Sequence, residues 1–87
     1  MKLNPDLIHR NIAGEHILIP VGETARAYNG LFVMNPVAHR IWELLEQGTD
    51  TNALVPLLLE EYEVDEAVLK ADVAEFLEIL QRNGLVI

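Results

Sequence analysis

The order of hydrophobic patterns along this chain predicts an α+β fold, winged-helix-like, in which a three-stranded antiparallel sheet is followed by a three-helix bundle. Three observations carry that prediction. Short β-prone runs bounded by turn residues occupy the amino-terminal part up to Met34. Helix-period patterns occupy the chain beyond Asn35. The two regimes meet at Asn35-Pro36 with no loop between them. Strands grouped ahead of helices segregate into a sheet beside a bundle rather than into parallel crossover units.

Leu7–Ile12 has the weak alternation of a first strand, and Ala13-Gly14 ends it. His16–Val21 is a second strand, and Ala13-Gly14-Glu15 between the two is short enough for a hairpin turn. Pro20 has no N–H to give a ladder, so it belongs at a strand end or on an edge. Gly22–Gly30 is polar and turn-rich, with Asn29-Gly30 a tight turn, and Leu31–Met34 is the third strand.

Asn35 suits an N-cap because its side-chain oxygen can accept from an unpaired amide of the first turn. Pro36 suits the next position, where its missing N–H costs nothing. The first helix then runs over Pro36–Glu46 with Val37, Ile41, Leu44 and Leu45 on one face, and Gly48 stops it. Trp42 on its flank is expected in the core, with its indole N–H at the rim. Thr51 is read as the cap of a second helix reaching Tyr62, with Leu54, Leu58 and Tyr62 one turn apart; Pro56 should bend or delay it.

The third helix, Asp65–Asn83, is the longest and carries the stripe Leu69, Val73, Phe76 and Leu80, with Gly84 as its stop. Val68 and Ile79 lie outside that stripe, across Asp72. Two apolar strips parted by an acidic residue describe a helix that covers a core and also lines a groove. The closing Leu85-Val86-Ile87 docks as an extended tail.

At 87 residues the chain is read as one domain, 1–87, and its 51% hydrophobic content is enough to fold it. Cysteine is absent, which removes disulfides and thiolate chemistry, and so is serine, which removes a serine nucleophile. Met1–Asp6 carries no secretion signal, and the longest apolar run, Ala53–Leu59, is too short to span a bilayer, so a cytoplasmic protein is expected.

Six Lys and Arg against fourteen Asp and Glu leave a net charge of −8 with the cations scattered, which argues against nucleic acid and anionic lipid. His9, His16 and His39 do not occur at metal-ligand spacing and are read as surface or strand residues; no metal or cofactor is expected. Glu60, Glu61 and Glu63 are read as a solvated acidic face rather than a catalytic pair. No active site can be assembled, so the chain is read as a binding protein rather than an enzyme.

The pieces that remain are a strand ending in Asn35, Ile41-Trp42-Glu43-Leu44-Leu45, Thr51 and Tyr62 bracketing a helix, then Asp72-Val73, Phe76-Leu77, Leu80 and Gly84-Leu85. In that order and spacing, from about His16 to Val86, they resemble the PqqD family, peptide chaperones of pyrroloquinoline quinone biosynthesis. Their fold recurs as the recognition element for precursors of ribosomally made, modified peptides. The resemblance implies a non-catalytic module that binds the leader of a precursor peptide and presents it to a modifying enzyme, often a radical S-adenosylmethionine enzyme. It also implies that the leader adds as a strand beside the third strand and packs against the third helix.

Carried onto this chain, the peptide-binding residues are Leu31, Phe32, Val33, Met34, Val68, Asp72, Glu75 and Ile79. Pro56 and the long polar segment Gly22–Asn29 depart from the commonest family pattern, and the segment leaves open where the third strand begins. Two other readings use the same fold. A generic interaction subunit or homo-oligomer would occupy the same sheet edge with another chain. A winged-helix DNA-binding protein would need basic or amide side chains on the third helix, which offers only Lys70, Gln81, Arg82 and Asn83 against Asp65, Glu66, Asp72, Glu75 and Glu78. Monomer and homodimer both remain open.

Overall fold

The computed structural model describes residues 1–23, 25 and 30–86. Its element order is β1 (Leu7–Ile12), β2 (Glu15–Pro20), β3 (Phe32–Met34), α1 (Pro36–Glu46), α2 (Thr51–Glu61) and α3 (Glu66–Arg82). Among these elements of the described residues, three antiparallel strands precede three helices, as the hydrophobic pattern predicts. The expected turn at Asn29-Gly30 and the tail residue Ile87 fall on positions outside the described residues, wholly or in part.

The sheet order is β1-β2-β3, with β2 in the centre. In the register, Leu7 faces Pro20, His9 faces Leu18 and Ile12 faces Glu15; on the other side His16 faces Met34 and Leu18 faces Phe32. Alternation then sets the faces. Leu7, His9, His16, Leu18, Phe32 and Met34 share one face, and Leu18 and Met34 on it are buried in the core. The hairpin closes through only two residues, Ala13 and Gly14, both at positive φ (53° and 84°). That is the backbone of a tight primed turn, whose twist matches that of the strands it joins.

Each helix starts on a side chain that accepts an otherwise unpaired amide. The Ala38 amide donates to Asn35 Oδ1 at 2.8 Å, with Pro36 in the first position as expected. The cap of α2 is Asp50, which accepts from the Asn52 amide at 2.8 Å; Thr51 is the first helical residue rather than the cap. Asp65 accepts from the Ala67 and Val68 amides at 2.8 and 3.3 Å. Pro56 lies inside α2 without ending it. The N–H it lacks would have gone to the carbonyl of Asn52, an exposed residue that water can reach.

The core lies between the sheet and the helices. Leu18, Ile41, Leu54, Leu58, Leu80 and Leu85 are its most deeply buried side chains, and the α3 stripe Leu69, Val73, Phe76 and Leu80 is buried along its length. The tail docks as expected: Leu85 is fully buried and Val86 bridges Leu3 antiparallel. Asn4 fastens it, its amide donating to the Leu85 carbonyl and its side chain to the Gly84 carbonyl, each at 3.0 Å. The tail is thereby held against the amino-terminal segment. Among the described residues, no helix is long and apolar enough to cross a membrane.

Candidate functional site

Because β2 is central, β3 is an edge strand; among the described residues no strand pairs along its second border. A groove of about 250 Å³ opens beside it, lined by β3, the start of α1 and one face of α3. Its walls are Phe32 and Val33 from the strand, Val37, Ala38 and Ile41 from α1, and Asp72, Glu75, Phe76 and Ile79 from α3, with Asn35 at the junction. The strand-to-helix transition at Asn35-Pro36 is what folds α1 back so closely on the strand before it.

Period and pairing explain which residues line the groove. Asp72, Glu75, Phe76 and Ile79 are spaced by three, one and three residues, so they share a face of α3. Phe76 is common to the buried stripe and to the groove, and its ring lies 5.8 Å from that of Phe32 at 36°. This aromatic pair joins α3 to β3 and forms the apolar floor. Asp72 and Glu75 are exposed at the edge, and among the described residues neither has an ion-pair partner. The groove is therefore apolar below and anionic along one side.

The sequence-derived site residues fall in different places. Phe32, Val33, Asp72, Glu75 and Ile79 line the groove. Met34 is 3% exposed and belongs to the core, so β3 offers its backbone there rather than its side chain. Leu31 precedes the strand, which begins at Phe32, and Val68 lies one turn before Asp72; both are exposed and neither lines the groove. Sequence reasoning missed Asn35, Val37, Ala38 and Ile41 as wall residues. The available signal was the face of α1 that directly succeeds the edge strand.

Three further findings concern polar groups. The indole N–H of Trp42 is not at a rim: the side chain is buried and Nε1 has no hydrogen-bond partner among the described residues. Glu61 is not merely solvated, because Arg40 donates to both its carboxylate oxygens, from Nε at 2.8 Å and from Nη2 at 3.1 Å. Those hydrogen bonds hold the Glu61 carboxyl below its ordinary value. The three histidines, unremarkable by spacing, meet in one cluster.

The sequence profile of the family described as coenzyme PQQ synthesis protein D, PqqD, matches residues 15–86. The chain belongs to the PqqD family. Two solved structures share the fold over 99% of this chain. One, described as TbiB1 in complex with the TbiA(beta) leader peptide, is 29% identical and superposes with a TM-score of 0.80 over 94% of that chain. The other, a lasso peptide synthetase B1 complexed with the leader peptide, is 22% identical with a TM-score of 0.79 over 95% of that chain, a likeness of fold. No curated protein sequence matches this PqqD-family chain.

Proposed function

We propose that this protein is a non-catalytic carrier that captures the leader segment of a ribosomally made precursor peptide and presents it to a modifying enzyme. The observation that carries this reading is an edge strand, with no second strand partner among the described residues, beside an apolar groove with one anionic side. An extended guest backbone pairs with Phe32–Met34, and its alternate side chains enter the groove between β3 and α3. Main-chain hydrogen bonds supply affinity and the groove supplies selectivity. Asp72 and Glu75 favour a leader with a basic side chain in register with them.

The magnitudes suit a carrier. About four main-chain bonds at roughly 0.5–1.5 kcal/mol each, with two buried apolar side chains at about 1.5–3 kcal/mol each, are offset by the cost of ordering a flexible peptide. The result is micromolar binding, tight enough to tether and weak enough to release. The PqqD relationship favours a radical S-adenosylmethionine enzyme as the recipient. The likeness to a chain described as TbiB1 in complex with a leader peptide favours leader capture itself and names no recipient enzyme. Both have leader capture in common, and that is the step the groove supports.

The test is titration of the isotopically labelled protein with the leader encoded nearest its gene, followed by amide NMR. The expected result is saturable binding with the largest shifts at Phe32–Met34 and along the Asp72–Ile79 face. Binding that leaves those amides unmoved removes the strand-addition mode, and absence of binding removes the carrier function.

A further inference from the structure

We propose that His9, His16 and His39 form a binding site for a divalent transition-metal ion, with Zn²⁺ the ion it suits best, on the side of the sheet–helix interface where the hairpin meets α1. The three residues come from β1, β2 and α1, and one nitrogen from each lies within 4.8 Å of the others. Hairpin register makes the first pair: His9 faces Leu18 and His16 is two residues before it, so the two are diagonal neighbours on one face. His9 Nε2 and His16 Nδ1 are hydrogen-bonded at 3.0 Å, a contact that the ion would replace. His39 reaches down from the first turn of α1, its ring 3.5 Å from that of His16 and nearly parallel at 9°, and 5.0 Å from that of His9.

The His9–His16 separation is close to what a tetrahedral ion needs, since ligands about 2.0–2.1 Å from zinc stand about 3.4 Å from one another, and the His39 nitrogen lies within 4.8 Å of both. Stacked rings direct their lone pairs along parallel planes, so binding requires His39 to turn about its outer torsion. That torsion has a broad, shallow profile in histidine. All three side chains are half-buried, which leaves a path for the ion and a fourth position for water or a partner's ligand.

The surroundings favour a cation. Glu43 Oε1 lies 3.6 Å from His39 Nδ1. With His39 coordinating through Nε2, its Nδ1–H turns toward that carboxylate, an outer-shell arrangement that fixes tautomer and ring orientation. The chain's net charge of −8 adds a long-range attraction for divalent ions. Imidazole-only ligation suits zinc, copper and nickel rather than magnesium or calcium. A bound ion ties both hairpin strands to α1 one residue beyond Val37 and Ala38, which form a groove wall.

The experiment uses the full chain without any histidine tag, treated with chelator and titrated calorimetrically with Zn²⁺ alone, with Co²⁺ absorption as an independent reading of coordination. The expected outcome is one ion per chain, the strong visible absorption of four-coordinate Co²⁺, and roughly tenfold or greater weakening in each of His9→Gln, His16→Gln and His39→Gln. Circular dichroism checks that each variant is folded; should His39→Gln unfold, His9→Gln on the outer strand carries the comparison. Absence of stoichiometric binding, or an affinity unchanged by the substitutions in folded variants, overturns the proposal. Leader titration of the metal-free protein is a separate measurement, so failure of the metal site leaves the carrier reading standing.

Discussion

The rings of Phe32 and Phe76, 5.8 Å apart, are the contact through which the edge strand and the last helix share one apolar floor. Phe32 is half-buried and Phe76 is only 5% exposed, so the pair is core on one side and groove on the other. Stability and peptide capture are therefore linked at Phe76. Phe76→Ala should cost about 3–5 kcal/mol, enough to threaten folding in a domain of this size. Phe76→Leu keeps most of the volume and should cost about 1–2 kcal/mol. Urea unfolding measures both, and a Phe76→Ala protein of unchanged stability would place the ring outside the core.

Ile79 and Val68 separate groove from surface on the same helix. The sequence pattern predicts that both touch a peptide, yet Ile79 lines the groove and Val68 is 56% exposed outside it. Ile79→Asp should weaken leader binding by roughly tenfold or more without unfolding the protein, because a charge would replace an apolar wall. Val68→Asp should change affinity by no more than about twofold, as expected for an exposed position. Calorimetry on the two variants decides the matter; equal losses would move the binding face around α3.

How much of the molecule is legible in the sequence depends on how local each signal is. Asn35-Pro36, the α3 stripe and the glycine stops at Gly48 and Gly84 are local codes, and each appears where its chemistry places it. The N-cap of α2 differs from expectation by one residue because Asp50 and Thr51 are adjacent and both suit the role. The groove wall from α1 has only an indirect signal in the sequence, the helix face that directly succeeds the edge strand, because its place depends on how that helix packs against β3. The histidine cluster escapes a sequence reading for a stronger reason. Ligand motifs are recognised by spacing along one element, whereas His9, His16 and His39 are joined by strand register and helix docking. Glu61 looks solvated in the sequence because its partner, Arg40, lies on another helix.

Ala13 offers a test of the hairpin. It adopts φ 53° without being glycine, a conformation in which its Cβ crowds the backbone. Ala13→Gly or Ala13→Asn should stabilise the protein by about 0.5–1 kcal/mol, since both residues favour the first position of such a turn. The expected reading is a melting temperature several degrees higher with unchanged leader affinity. A lower melting temperature in both variants would mean that the turn is not of this kind.

Arg40 and Glu61 tie α1 to the end of α2, and their contribution should depend on pH in a definite direction. The Glu61 carboxyl titrates below its ordinary value of 4.5, chiefly because it accepts hydrogen bonds from Arg40. A depressed folded-state pKa stabilises the fold above the unfolded value, and that stabilisation is lost as pH falls through the folded value. Arg40 stays charged throughout, so the window is set chiefly by Glu61, with Glu43 Oε1 a second carboxylate oxygen 3.8 Å from Arg40 Nη1. Both side chains are partly exposed, and water screens the pair to a modest contribution. Arg40→Ala should therefore melt below the parent protein at pH 7, with the gap closing as the pH drops below 4.5. High salt should narrow the gap at pH 7 as well. A gap independent of both pH and salt would show that Arg40 acts through packing of its aliphatic stem rather than through its charge.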